Sequence, residues 1–179
     1  GLLVAYVGVS PLIATLGTLF VFQGLALVVT ASETVYASGT PLVDSIGQDS
    51  WLGVPAPVWF AIAALAIGTV VMRRGRFGRN VFLMGGNRDA AYLVGVRVQR
   101  VELSTYLVSG LVGGLAGVLA IARVGTADAA TGANEALPVI AAVVLGGASL
   151  AGGRGSIIGA ALGVLLIGLV RNAVVLLNV

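Results

Sequence analysis

The 179 residues are 58% hydrophobic and only 9% charged, with a mean hydropathy of +1.07 and a formal charge of +3 whose cations are all arginine. Soluble domains carry about a quarter charged residues, so this composition excludes an ordinary water-soluble fold and indicates an all-α, polytopic membrane protein in which lipid takes the place of a core. Neither cysteine nor histidine is present, which excludes disulfides, thiolate metal sites and the commonest proton shuttle and metal ligand.

In chain order, Gly1 to Val9 reads as the end of a preceding helix, without an initiator Met or charged leader. Pro11 to Thr30 is the first span, with Ser10 placed to cap it and Pro11 at the tolerated first helical position. Residues 31–55 contain Glu33, Asp44 and Asp49, no arginine, and turn formers such as "SGTP" and "GVPAP"; they predict a polar loop with room for a short surface helix. Ala56 to Met72 is the second span. Residues 73–102 then hold seven of the ten arginines. Leu103 to Ala122 is the third span, 123–136 a polar loop, and Leu137 to Leu150 a fourth apolar run. "AGGRG" is a turn, and Ser156 to Val170 is a fifth run ending at Arg171 and Asn172. Val174 to Val179 closes in apolar sequence, so the chain reads as a fragment with about five to six membrane helices.

Cytoplasmic loops are enriched in arginine and lysine, which puts residues 73–102 inside, 31–55 and 123–136 outside, and Arg154 inside. Eight arginines then lie on the inner side against Arg123 and Arg171 on the outer. The fourth run covers only ~21 Å at 1.5 Å per residue, short of the roughly 30 Å hydrocarbon layer. It is tilted, extended by the outer loop, or re-entrant.

None of the five runs has an Asp, Glu, Arg or Lys in its interior, whereas ion-coupled carriers place relays there. On the first helix Thr15, Thr18 and Phe22 share one side, with Gln23 at its margin. This face, together with Ser149 on the fourth run, is the candidate lining of a path for a neutral polar solute, beside the plainer reading that Ser and Thr pack helices in membranes. Gly113 and Gly117 form one G-x-x-x-G pair, and Gly155, Gly159 and Gly163 a ladder of two, expected on helices that face other helices.

"VVLGGASLAGGRGS", residues 143–156, has the glycine spacing of a phosphate loop at Gly147 and Gly152. That loop needs a lysine followed by Ser or Thr, and here Gly153 and Arg154 stand in those places after an apolar run. The reading that remains is a break between helices, with Gly146, Gly147, Gly152 and Gly153 permitting a tight turn and Gly155 beginning the ladder. No catalytic constellation and no cofactor or metal site is evident.

The loop at 73–102 opens on a basic cluster, Arg73 to Arg79, suited to anionic lipid and to fixing topology. "GGN" followed by "RDAAYLVGV" then predicts a turn with Asn87 or Asp89 as N-cap and a short helix ending near Gly95. Ala90, Ala91, Leu93 and Val94 give that helix a small apolar face, too short to stand alone and presented to the cytoplasm for docking.

"GRNVFLMGGNRDAAYLVGVRV" resembles the cytoplasmic loop of the ribose-type ABC sugar permeases, patterned G-R-x-[IV]-[YF]-A-[IL]-G-G-N-x-x-A-A-x-L-[SA]-G-[IV]-x-V. "IAAVVLGGASLAGGRGSIIGAALGVLLIG" is similar to that family's I-A-A-V-V-[LI]-G-G-T-S-L-x-G-G-x-G-x-[IV]-x-G-T. "PLIATLGTLFVFQGLALVVT", "YLVSGLVGGLAGVLAIAR" and "RNAVVLLNV" also match, in order, along essentially the whole chain. Departures are Gln23 where many members have Arg, Ala148 for Thr, Glu135 shifted by one, and Pro138 where an Asp often stands.

The resemblance implies the carboxy-terminal part of a roughly ten-helix permease in a bacterial inner membrane. It also implies a non-enzymatic pathway subunit for a monosaccharide such as ribose, paired with a second permease chain, identical or related. A cytoplasmic ABC ATPase and an extracytoplasmic sugar-binding protein complete the importer; nucleic acid has no part in it. The family's ATPase-coupling helix maps onto Gly85, Gly86, Asn87, Arg88, Asp89, Ala90, Ala91, Leu93 and Gly95, so a charge at Ala91 is expected to uncouple ATPase binding without preventing membrane insertion. The alternative class is an ion-coupled secondary carrier or channel.

Overall fold

The computed structural model describes residues 1–36, 45–47, 49–51, 53–128, 132 and 135–177. They fall into two compact units, Gly1–Ile62 with Glu102–Ala133, and Ala63–Val101 with Asn134–Val179.

In the first unit, α1 (Leu2–Ala5) leads by a short bend into α2 (Pro11–Val29). Proline at the first helical position starts α2, although Ser10 makes no side-chain cap bond. The helix ends in a reversal in which the Ala31 amide donates to the Val28 carbonyl and the Ser32 amide to Leu27. Both residues adopt positive φ, 51° and 60°. Beyond it, β1 (Val35–Tyr36) pairs antiparallel with β4 (Thr126–Ala127), and β2 (Ser50–Trp51) pairs with β3 (Val54–Pro55). The segment expected as a polar loop with room for a short surface helix contains short ladders as well as a helical turn at 45–47, because backbone groups at a helix end need partners. The β1–β4 ladder ties the segment after α2 to the one after the long helix α6 (Val98–Val124); Asp44 lies outside the described residues.

Helix α3 (Ala56–Arg74) begins in the first unit and ends in the second, and α6 starts five residues before the expected Leu103. The second unit also holds α4 (Arg76–Gly86), α5 (Arg88–Leu93), α7 (Ala136–Leu145) and α8 (Ile157–Leu176). The fourth apolar run is thus shorter than its hydropathy, stopping at Leu145; Gly147 takes φ 88° just past it, where a side chain is strained. The fifth is longer and passes through Arg171 to Leu176. Arg171, expected to close the fifth run, lies within α8, five residues before its last residue Leu176. Its guanidinium donates to the Glu135 carboxylate at 3.0 Å, at the start of α7.

Four helices, α2, α3, α6 and α8, are long and apolar enough to cross a membrane, and α7 is a shorter apolar helix. At 1.5 Å per residue the 19- and 20-residue helices extend ~28–30 Å, close to the hydrocarbon thickness, while α7 reaches ~15 Å, about half of it. The spanning windows are 6% buried or less, with side chains such as Phe22 and Leu111 exposed by 70% and 69%. Such a surface suits hydrocarbon or neighbouring helices, because each helix satisfies its own backbone polar groups.

Candidate functional site

The arginine-rich loop is mostly helical. Only Gly75 separates α3 from α4; a Cβ there would strike the Val71 carbonyl, and one on Gly78 the Met72 carbonyl, so the corner requires glycine at both positions. Helix α4 was not anticipated in the sequence, where residues 73–86 read as a basic cluster and a turn. Its signal was present: Phe77, Val81 and Met84, spaced i, i+4, i+7, are half-buried, while Arg76 and Arg79 are exposed. The nearby arginines masked that stripe.

Asn87 closes α4 and opens α5. Its side-chain oxygen accepts the Ala90 amide at 2.9 Å, which resolves the choice between Asn87 and Asp89 as cap. At the other end the Gly95 amide donates to the Tyr92 carbonyl and the Val96 amide to Ala91, with Gly95 at φ 82°. Those paired bonds about a left-handed residue are the helix-terminating arrangement that favours glycine. The faces of α5 differ from expectation in one respect. Ala91 is only 2% exposed, whereas Tyr92, Leu93 and Val94 are exposed by 74%, 83% and 70%. The outward apolar surface is therefore Tyr92, Leu93 and Val94, with Ala90 exposed beside them.

The glycine-rich stretch forms the break between α7 and α8. Gly147 and Ala148 donate to the Val144 and Val143 carbonyls, ending α7 by the same device as α5. The turn is closed by the Ser149 amide on the Arg154 carbonyl at 2.9 Å and the Gly152 amide on the Ser149 carbonyl at 3.1 Å. Ser156 then caps α8, its Oγ accepting the Gly159 amide at 2.9 Å. Gly155 precedes the cap, so the helical part of the expected ladder is Gly159 and Gly163. These pack on α7: a Cβ on Gly159 would meet the Gly146 carbonyl, and one on Gly163 the Ala142 carbonyl. The two helices run antiparallel at backbone contact, and Glu135–Arg171 continues the same register. By contrast, a Cβ on Gly113 or Gly117 of α6 would meet nothing within 4 Å among the described residues.

Gly85 and Gly86, the last residues of α4, lie against this turn. A Cβ on Gly85 would stand 2.7 Å from the Gly153 nitrogen, and one on Gly152 2.7 Å from the Gly85 carbonyl oxygen. The two glycine-rich motifs, more than sixty positions apart, are therefore adjacent in space.

Of the pathway candidates, Thr15 and Thr18 donate their hydroxyls to carbonyls one turn back, Pro11 at 2.9 Å and Ala14 at 2.9 Å. Their oxygens remain able to accept, but their protons are used inside the helix. Phe22 is exposed and Gln23 half-buried on the same helix, while Ser149 belongs to the turn of the other unit. A cavity of about 270 Å³ lies beside the turn, lined by Met72, Phe82, Val143, Ala148, Ile157 and other residues. It is almost wholly apolar. Of its polar lining, the Thr69 hydroxyl is spent on the Leu65 carbonyl at 2.7 Å and Ser156 on the α8 cap, which leaves Arg73; one cation in an apolar wall is not the array of convergent polar groups that suits a polyhydroxylated solute.

The family described as the branched-chain amino acid transport system / permease component matches residues 1–179. The chain belongs to this permease family. It is 41% identical over 180 residues to the ribose import permease protein RbsC of Bacillus subtilis, covering all of this chain and 56% of that protein. It is 37% identical over 179 residues to the L-arabinose transport system permease protein AraH of Escherichia coli, covering all of this chain and 54% of that one. The D-allose transport system permease protein AlsC of Escherichia coli is 36% identical over 179 residues, with all of this chain and 55% of that protein covered. The chain thus spans about half the length of the curated relatives it matches. No solved structure matches it. With its four spanning helices, this family member is a multi-pass protein of the bacterial inner membrane.

Proposed function

We propose that this chain is part of the permease subunit of an ATP-binding-cassette importer and forms part of the translocation pathway for a monosaccharide. The observation that carries the reading is α5, a helix capped by Asn87, ended by Gly95 and presenting Tyr92, Leu93 and Val94 outward. A six-residue helix is unstable alone, and an apolar face outside the spans suits a protein partner. The sugar class follows from relatives named for ribose, L-arabinose and D-allose.

In this reading the arginine-rich loop is cytoplasmic and α5 receives a separate ATPase subunit or domain, the source of ATP hydrolysis. A sugar-binding protein delivers substrate from the other side, a second permease chain completes the pathway, and the arginines meet anionic lipid. Gly85 to Gly95 are the coupling segment, and Thr15, Thr18, Phe22, Gln23 and Ser149 are retained as pathway candidates. ATP-driven closure would act on α5, and packed helices would move as rigid bodies to alternate access.

The test is reconstitution of the full-length permease with its ATPase and binding protein in vesicles, with labelled ribose, arabinose and allose as probes. Uptake of at least one sugar only in the presence of ATP is expected. Uptake that ignores ATP and follows a proton or sodium gradient would overturn the proposal in favour of an ion-coupled carrier.

A further inference from the structure

The contact between Gly85–Gly86 and Gly152–Gly153 involves backbone on both sides. A Cβ on Gly85 would lie 2.7 Å from the Gly153 nitrogen, and one on Gly153 2.8 Å from the Gly86 Cα. Ordinary contacts of a real Cβ fall at 3.4–4 Å. No rotamer change can absorb the difference, because the opposing atoms belong to the main chain.

Each partner is rigidly attached to something that matters. Gly85 and Gly86 end α4, and the single residue Asn87 is both the end of α4 and the cap of α5. Displacing α5 therefore displaces this glycine pair. Gly152 and Gly153, at φ 91° and 74°, belong to a turn closed at Ser149 and Arg154, whose two ends are the α7 terminus and the α8 cap. Those helices are themselves in backbone contact through Gly146 with Gly159 and Ala142 with Gly163. Main-chain contact is thus continuous from the docking helix to the half-length helix, with no flexible side chain between.

We propose that this glycine clasp transmits displacement of α5 to the α7–α8 hairpin, making Gly85 a positioning residue for transport. The proposal rests on the importer reading above. Gly168 in α8 supplies the control, since a Cβ there would meet nothing within 4 Å among the described residues. Gly85→Ala and Gly168→Ala make the same chemical change within a helix, and only the first separates the clasp.

The experiment uses the full-length permease reconstituted with its ATPase and binding protein. It measures ATPase co-purification, ATP hydrolysis stimulated by sugar-loaded binding protein, and sugar uptake. For Gly85→Ala, assembly and hydrolysis are expected to persist while uptake falls roughly tenfold, raising the ATP consumed per sugar. Gly168→Ala is expected to match the wild type in all three. Wild-type uptake by Gly85→Ala, or an equal loss in Gly168→Ala, would overturn the clasp. If Gly85→Ala fails to assemble, hydrogen exchange on the wild-type complex decides. Binding of a non-hydrolysable ATP analogue should alter protection in residues 85–95 and 147–155 together; a change confined to 85–95 would overturn the proposal. ATP-independent uptake by the wild type, read first in the same vesicles, would sink the importer reading instead.

Discussion

Replacing Leu93 by alanine isolates the proposed docking face from the fold beneath it. Leu93 is 83% exposed on α5, so its side chain contributes little to the chain's own packing and is available to a partner. Truncation removes three carbons; at roughly 0.8 kcal/mol per buried methylene the loss is about 2 kcal/mol if a partner buries them fully. That corresponds to about a 30-fold weaker affinity for the ATPase subunit. The assay is titration of purified ATPase onto full-length permease in nanodiscs, with thermal unfolding of the permease recorded in parallel. Leu93→Ala should weaken binding and leave the unfolding midpoint in place. Ala91→Glu should behave differently: Ala91 is 2% exposed, and a carboxylate forced into that position destabilises the loop itself, so binding and stability should fall together. Unchanged affinity for Leu93→Ala, or a stable Ala91→Glu that selectively loses the ATPase, would refute this assignment of faces.

Three further outcomes are expected. Gly159→Ala drives a methyl toward the Gly146 carbonyl and should cost about 1–3 kcal/mol in detergent unfolding, whereas Gly168→Ala in the same helix meets nothing and should be neutral or stabilising by up to about 1 kcal/mol; equal effects would deny the close approach of α7 and α8. Glu135→Gln should cost no more than about 1 kcal/mol because the pair with Arg171 is well exposed, at 52% and 69%; a loss of about 3 kcal/mol or more would place the pair out of contact with water. Ala31→Gly removes a non-glycine residue from φ 51° and should raise the unfolding midpoint, since the left-handed conformation costs an L residue about 1–2 kcal/mol and the added chain entropy of glycine offsets only part of that.

Much of the architecture was legible because its signals are local. Proline at the start of α2 and an apolar run of the right length locate that helix within one residue of expectation, and Asn87 and Gly95 mark α5 by the chemistry of helix ends. The α4 stripe was equally local but lay among arginines that draw attention to charge. Hydropathy misplaced the ends of the last two helices for different reasons. α7 stops at Leu145 although apolar residues continue, because Gly147 adopts a left-handed conformation. α8 continues past Arg171 because neither glycine nor proline follows to end it, and the guanidinium meets Glu135, thirty-six positions earlier.

Interactions within a few residues set the number and rough position of the apolar helices and the caps of the short helix. Which faces meet depends on the folded arrangement. It turns Ala91 inward and Leu93 outward, lays Gly146 and Ala142 of α7 on Gly159 and Gly163 of α8, and brings Gly85 to Gly153. Glycine carries no side chain to advertise a partner, so its contacts depend on where two distant backbones come to lie.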